Sequence, residues 1–325
     1  MPLPISALGN QLISFKPIYI DTRWLLSYAA GISDHNPAYL NTTSPKIRPT
    51  NDFHIQGVQG SHIIAHPIFI WAVEWQFMCL RASELYTVKN RPLRLSPKEK
   101  QFGGPVHYGE DIIIHRPIQA TDEITSSCTL IEMSQRKQGT VTNYKFQHKD
   151  KNNQPVATTW NIAYWRGVNL DTSSSAMENE MPPLLPAFND STTPMYEIKI
   201  PIAAYEGIIY TECSRIWNPI HSDPATAKAS GLPGAILHGT ATMAKCVTQI
   251  INRHVVGQDP NKVRRVVVGR FVGVVLMPSV LTMRVLQIVS WKKNTTAIHY
   301  DLINEQGVAA IQGGVVIFDG VASLL

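Results

Sequence analysis

Charge is sparse in this chain, and none of it is concentrated. Charged residues make up 16% of the 325 positions, and the formal net charge of +5 comes from Lys and Arg scattered along the whole length. No basic stripe interleaved with stacking aromatics is present, so the electrostatic footprint of a nucleic-acid-binding domain is missing. Cysteine is scarce as well. Cys79, Cys128, Cys213 and Cys246 stand far apart, with no C-x-x-C and no His pair at zinc spacing. Free buried thiols in a reducing compartment are expected, not a disulfide framework or a structural metal. The start of the chain lacks a charged segment followed by an apolar run, so no secretory signal is expected. Long apolar runs are lacking too. The longest, residues 63–80, is broken by His66, Pro67 and Glu74 and reads as an amphipathic buried helix, not a membrane span. The final Ser323-Leu324-Leu325 lacks the basic middle residue of the peroxisomal address it partly resembles. The cytosol is the expected location, with the peroxisome as the alternative.

What is present is the 44% apolar content of a folded protein, arranged as one set of parts written twice. Residues 170–194, rich in Ser, Thr, Pro and acidic side chains without a sustained period, read as a surface linker. They divide an N-terminal repeat (1–169) from a C-terminal repeat (195–325). In the first, Trp24 to Ala30 leads into Asp34-His35-Asn36-Pro37, followed by the apolar helix near Pro67. Runs rich in Val, Ile and Thr follow at residues 111–116, 124–133, 141–148 and 156–164. In the second, residues 208–213 lead into Trp217-Asn218-Pro219-Ile220-His221, a short helix from Asp223 and a longer one from about Gly239. The β-type runs recur at 266–271, 281–289, 296–303 and 308–318. Their period-2 alternation predicts strands. Lys149–Asn153 and Asn304–Gly307 sit at equivalent places as hairpin turns. One helix followed by consecutive antiparallel strands, twice, predicts an α+β fold.

The run Trp217-Asn218-Pro219-Ile220-His221-Ser222-Asp223-Pro224, then Gly231, Pro233 and Ile236-Leu237-His238-Gly239, resembles the signature of MaoC-like, type 2 enoyl-CoA hydratases. Arg270-Phe271 and Pro278 extend the likeness, and His107-Tyr108-Gly109-Glu110 is similar to a His-Gly-Glu segment of the family's N-terminal repeat. The resemblance implies a double hotdog fold, in which each long helix is wrapped by a curved antiparallel sheet. It also implies reversible addition of water across the double bond of an enoyl thioester. In the family an Asp and a His serve as general acid and base, and backbone N–H groups at the start of the long helix hold the thioester oxygen. On this chain that position is near Gly239. No metal or redox cofactor is implied; the expected partner is a small-molecule substrate, with no nucleic acid or membrane, and a homodimer is the candidate assembly.

Aligned on Asn218 and His221, the family's Asp falls on Ile216 and its Gly on Arg215. The first repeat shows the complementary loss: it keeps Asp34 and Asn36 but has Tyr39 where the His would stand. Three readings follow. His221 works as a lone acid/base, or with a carboxylate such as Glu212 or Asp34. Alternatively, the site serves an isomerisation, cyclisation or pericyclic step on a polyketide-like or terpenoid-like intermediate. In the third, the chain is an inactive partner subunit. The residues assigned to catalysis are His221, Asn218 and Asp34, with Gly239, His238, Ile216 and Ser214 contacting substrate. Pseudo-twofold-related sites are expected to lie well apart, which weakens Asp34. His35 and Asp34 are expected on opposite faces, Asp223 reads as a helix cap, and Trp71 and Trp75 read as core.

Overall fold

A computed structural model of the chain describes residues 3–13, 17–42, 63–76, 87–88, 91–92, 105–188, 193–292 and 294–322. In the first repeat, strands β1 (Gln11–Ile13) and β2 (Ile18–Tyr19) precede helices α1 (Thr22–Gly31) and α2 (Pro37–Leu40). A 3-10 turn, Pro67–Phe69, opens helix α3, described over residues 70–76. The short pair β3 (Thr87–Val88) and β4 (Arg91–Pro92) follows, then the long strands β5 (Val106–Ile114), β6 (Glu123–Arg136), β7 (Gly139–Lys149) and β8 (Pro155–Arg166). After the edge strand β9 (Ser175–Ala176), the second repeat contains β10 (Tyr196–Ile202), α4 (Glu206–Ser214), α5 (Pro224–Ala229) and α6 (Gly239–His254). Its long strands are β11 (Val263–Phe271), β12 (Ser279–Trp291), β13 (Thr295–Ile303) and β14 (Ala309–Asp319).

Apart from β3 and β4, which pair with each other, the described strands form one antiparallel sheet in the order β1-β6-β7-β8-β5-β11-β14-β13-β12-β10, with β2 and β9 also on β6. The order of the first half, β6-β7-β8-β5, is that of the second, β12-β13-β14-β11, reversed about the β5–β11 seam. The two repeats are therefore related by a pseudo-twofold axis and share a continuous sheet, as a double hotdog requires. Alternation makes the strands: along the start of β6, Ile124, Ser126, Cys128 and Leu130 point inward while their neighbours stay half-exposed. Capping sets the helix starts. Asp21 accepts from Trp24 N–H (2.7 Å) and Asp223 from Ala225 and Thr226 N–H (3.0 and 3.3 Å), with Pro224 at the first helical position.

One hydrophobic core runs through both repeats, from Trp24, Tyr28 and Phe69 to Met243, Ile250 and Phe318. Buried polar contacts tie the halves together. Across the seam, Arg265 pairs with Asp111 (Nε to Oδ1, 2.8 Å) and also donates to Pro183 O. Lys245 on α6 pairs with Glu206 and donates to Ile32 O at the end of α1. The segment expected as a linker lies along the sheet, where Trp160 donates to Glu180 O and Lys145 pairs with Glu180. Strand β10, which pairs along β12, has no counterpart among the expected strands. Among the described residues, no helix is long and apolar enough to cross a membrane.

Candidate active site

The motif residues gather at the start of α6. Asn218 caps the 3-10 turn Pro219–His221, its side-chain oxygen accepting from Ile220 N–H. The turn presents the His221 ring, which is fixed by a hydrogen bond from Nδ1–H to Ile236 O at 2.8 Å. That bond sets the tautomer and leaves the Nε2 lone pair without a partner among the described residues. The His238 ring stacks on His221 with centroids 3.7 Å apart and planes 25° from parallel. His238 in turn donates from Nε2 to Ile216 O at 3.3 Å, which leaves its buried Nδ1 without a partner. Burial pushes His221 down to about 4, with the bond to Ile236 O opposing it. Burial and then the neighbouring His221 hold His238 well below the ordinary histidine range. Both rings are neutral at physiological pH, so His221 offers a lone pair and not a proton.

Helix α6 begins without a side-chain cap. Ala241 and Thr242 N–H both bond back to His238 O at 3.1 Å, whereas Gly239 and Thr240 N–H have no backbone acceptor among the described residues. An uncapped start leaves donors and the positive end of the helix dipole for a ligand oxygen. The glycine at 239 has a second cause besides the expected approach of a ligand. A Cβ there would stand 3.0 Å from the ring of Phe271, which packs against the helix start.

These groups line a cavity of about 400 Å³ that also reaches into the first repeat. The second repeat lines it with Ile216, Asn218, His221, His238, Gly239 and Thr240. The first repeat lines it with aromatic and polar side chains: Trp71, Trp75, His107, Tyr144, Phe146, Asn161 and Arg166. Trp71 and Trp75 stack at 5.9 Å and belong to the core as expected, yet they also form cavity wall. His107 lies between Trp71 and Phe271, with centroids 4.9 and 4.7 Å away. Behind it, Glu110 accepts from Trp71 Nε1–H (2.8 Å) and meets His107 Nε2 at 2.9 Å. Burial, then the nearby Glu74, pushes Glu110 well up, while burial takes His107 down to about 3. The pair is therefore a neutral hydrogen bond with the carboxyl donating, not an ion pair. Among the described residues no group of three His, Cys, Asp or Glu converges as metal ligands would.

Other site candidates lie elsewhere. Asp34 is buried in the first repeat, accepting from Asn36 N–H (2.9 Å) and Thr248 Oγ–H (2.7 Å), outside the cavity. Ser214 donates to Tyr210 O (2.6 Å) and accepts from Ile216 N–H (3.3 Å), which closes the end of α4 and keeps its side chain off the cavity wall. Glu212 is exposed to solvent, and His35 is exposed while Asp34 is buried. The first repeat's counterpart site is closed. His66, at the position equivalent to His238, turns Nδ1 to accept Ile68 N–H (3.2 Å) and caps its own helix. The space beside it is only about 20 Å³. Tyr39, at the position of His221, is buried.

Residues 189–305 match the model of the MaoC like domain family. Over 97 residues, the chain is 32% identical to the peroxisomal enoyl-CoA hydratase 2 of Arabidopsis thaliana, an alignment covering 30% of this chain and only 29% of that protein. In solved structures the fold recurs over nearly the whole chain. A MaoC-like dehydratase from Phytophthora capsici superposes with a TM-score of 0.74 at 17% identity, covering 97% of this chain and 96% of that one. The peroxisomal multifunctional enzyme type 2 of Drosophila melanogaster gives 0.68 at 16% identity, covering 96% of this chain and 48% of the larger enzyme. A Mycobacterium tuberculosis protein described as a double hotdog gives 0.57 at 11% identity, covering 97% of this chain and 96% of that one. Residues 189–305 thus match the MaoC like domain family, and over nearly its whole length the chain has the double-hotdog fold of these structures.

Proposed function

We propose that the chain is a hydro-lyase that dehydrates a 3-hydroxyacyl thioester, or hydrates the corresponding enoyl thioester, with His221 as its single acid/base. One observation carries this reading: His221 is locked with a bare Nε2 on a cavity whose other wall is the uncapped start of α6. In the dehydration direction, Nε2 takes the α-proton and the C–H electron pair moves toward the thioester oxygen as an enolate. Gly239 N–H and the positive helix end are available to that developing charge. Collapse of the enolate forms the C=C bond and breaks the C–OH bond, and the proton on Nε2 leaves with the hydroxyl as water. One imidazole can thus serve both steps.

A base held at about 4 is weak. The conjugate acid of such a base returns its proton to the enolate readily, so C–OH cleavage limits the rate, and conjugation of the new double bond with an aryl group is felt in that step. The aromatic lining from the first repeat supports the same substrate class, a flat, conjugated acyl group of the polyketide-like kind. The isomerase or cyclase reading draws on the same lining and on Ile216, an apolar side chain where a carboxylate would stand. The experiment compares a 3-hydroxy-3-phenylpropionyl thioester with a 3-hydroxybutyryl thioester. We expect faster water loss from the first, and a fall on the order of 10²–10⁴-fold in His221→Ala and His221→Gln. Undiminished turnover in His221→Gln would remove His221 from the chemistry. Rearrangement of a bound polyketide-type substrate without loss of water would favour the isomerase.

A further inference from the structure

Thr240 is the second residue of α6 and lines the cavity next to Gly239. Its Oγ accepts a hydrogen bond from Tyr210 O–H at 3.1 Å. The Tyr210 oxygen lies 3.3 Å from the Tyr28 hydroxyl. Since the Tyr210 proton goes to Thr240, Tyr28 must be the donor in that second bond. The chain of hydroxyls therefore has a direction, Tyr28 to Tyr210 to Thr240. The last proton, on Thr240 Oγ, has no acceptor among the described residues.

We propose that the Thr240 hydroxyl donates a hydrogen bond to the thioester oxygen of the bound acyl group, beside Gly239 N–H, and that Tyr210 and Tyr28 are positioning residues that polarise it. The proposal rests on the thioester reading above. Internal symmetry supplies its control. Tyr28 stands six residues before Asp34, and Tyr210 six before Ile216; α1 and α4 bring the two phenols together. The repeats differ at the next step. Two residues beyond His238 is Thr240, whereas two residues beyond His66 is Ile68. The hydroxyl chain thus extends only into the repeat that has the open cavity and the uncapped helix start. Two buried phenols need only each other to place one proton; the additional step to Thr240 delivers a donor to the cavity. Burial drives Tyr210 up to about 12 and Tyr28 well above the usual phenol range, so both remain neutral donors at any working pH. Aligned hydroxyl bonds of this kind reinforce the terminal donor.

The test uses 2,4-hexadienoyl-CoA, whose absorbance moves to longer wavelength when its carbonyl is polarised, together with the rate of crotonyl-CoA hydration. Wild-type protein is expected to red-shift the bound dienoyl thioester. Thr240→Val should lose most of the shift and about 10²-fold in kcat with little change in KM. Thr240→Ser should restore both, and Tyr210→Phe should give a smaller shift and an intermediate rate. Wild-type shift and kcat in Thr240→Val would overturn the proposal and leave the thioester reading standing. If wild-type protein neither shifts the probe nor removes water from the 3-hydroxy-3-phenylpropionyl thioester, the thioester reading fails first and takes this proposal with it. Should Thr240→Val not fold, Tyr210→Phe decides, and an unchanged shift there overturns the assignment.

Discussion

Ile216 is 3% exposed, lines the cavity and stands where the resembling hydratases place a carboxylate. Its carbonyl, not its side chain, takes part in the polar network, by accepting from His238. Ile216→Asp therefore adds a group for which the surrounding backbone is already in place. A carboxylate there would face two neutral imidazoles and favour protonation of His221, making it a stronger base. Turnover of the 3-hydroxybutyryl thioester, whose product lacks conjugation with an aryl group, should rise about tenfold or more. Burying the carboxylate should cost about 2–4 kcal/mol of folding stability, because two neutral imidazoles replace only part of its hydration. Activity on both thioesters, measured beside a urea denaturation curve, checks both halves. Reduced stability with no gain on the 3-hydroxybutyryl thioester would show that the missing carboxylate is not what restricts the reaction.

Helices α1 and α4 approach closely enough that a Cβ on Gly31 would lie 2.6 Å from Cys213 Cβ. This contact sets the distance at which Tyr28 and Tyr210 meet. Gly31→Ala should destabilise the fold by about 1–3 kcal/mol through overpacking and should lower turnover, since it pushes apart the two phenols that orient Thr240. Adding Cys213→Gly, which moves the vacancy to the other helix, should recover much of both losses; stability and activity that stay down in the double variant would mean the helices do not meet through this contact. Glycine at 31 was not legible as an interface residue from one sequence, since nothing local marks it. The long strands β5 to β8 and β11 to β14 were legible to within about five residues, because alternation of Val, Ile and Thr with polar side chains is a local consequence of one buried face, whereas β10 and the short strands were not. The site was legible only in part. The motif around His221 marked the right loop, but residue types do not reveal that His66 turns inward to cap its helix while His238 leaves its own uncapped. That difference arises from His238 stacking on His221 and bonding to Ile216 O, a contact between segments 22 residues apart. Trp71 and Trp75 showed their helical spacing, yet a tryptophan that is both core and cavity wall has the same spacing as one that is core alone.

At the scale of the whole molecule, the buried histidines make the fold acid-sensitive. In the unfolded chain histidines take up protons near pH 6.5. In the folded chain His221 and His66 stay neutral down to about 4, and His107 down to about 3, each chiefly because burial disfavours the charged ring. Between those limits the unfolded chain binds more protons, so stability declines as pH falls from 6.5, by up to about 1.4 kcal/mol per pH unit for each histidine. Above pH 6.5 the effect vanishes. Glu110 and Asp111 act in the opposite sense: burial raises both carboxyls, which costs stability at neutral pH, and acidification relieves that cost. With His66, His107, His221 and His238 against these two carboxyls, the histidines prevail. Urea midpoints are expected to fall steadily from pH 6.5 toward pH 4.5, and His66→Gln or His107→Gln should flatten the slope; midpoints level across that range would refute the argument. The consequence reaches the reaction. Since unfolding takes up several protons and protonation of His221 only one, the acid limb of activity should be steeper than a one-proton curve. A limb of one-proton slope centred near pH 4 would instead mean that the fold outlasts its base.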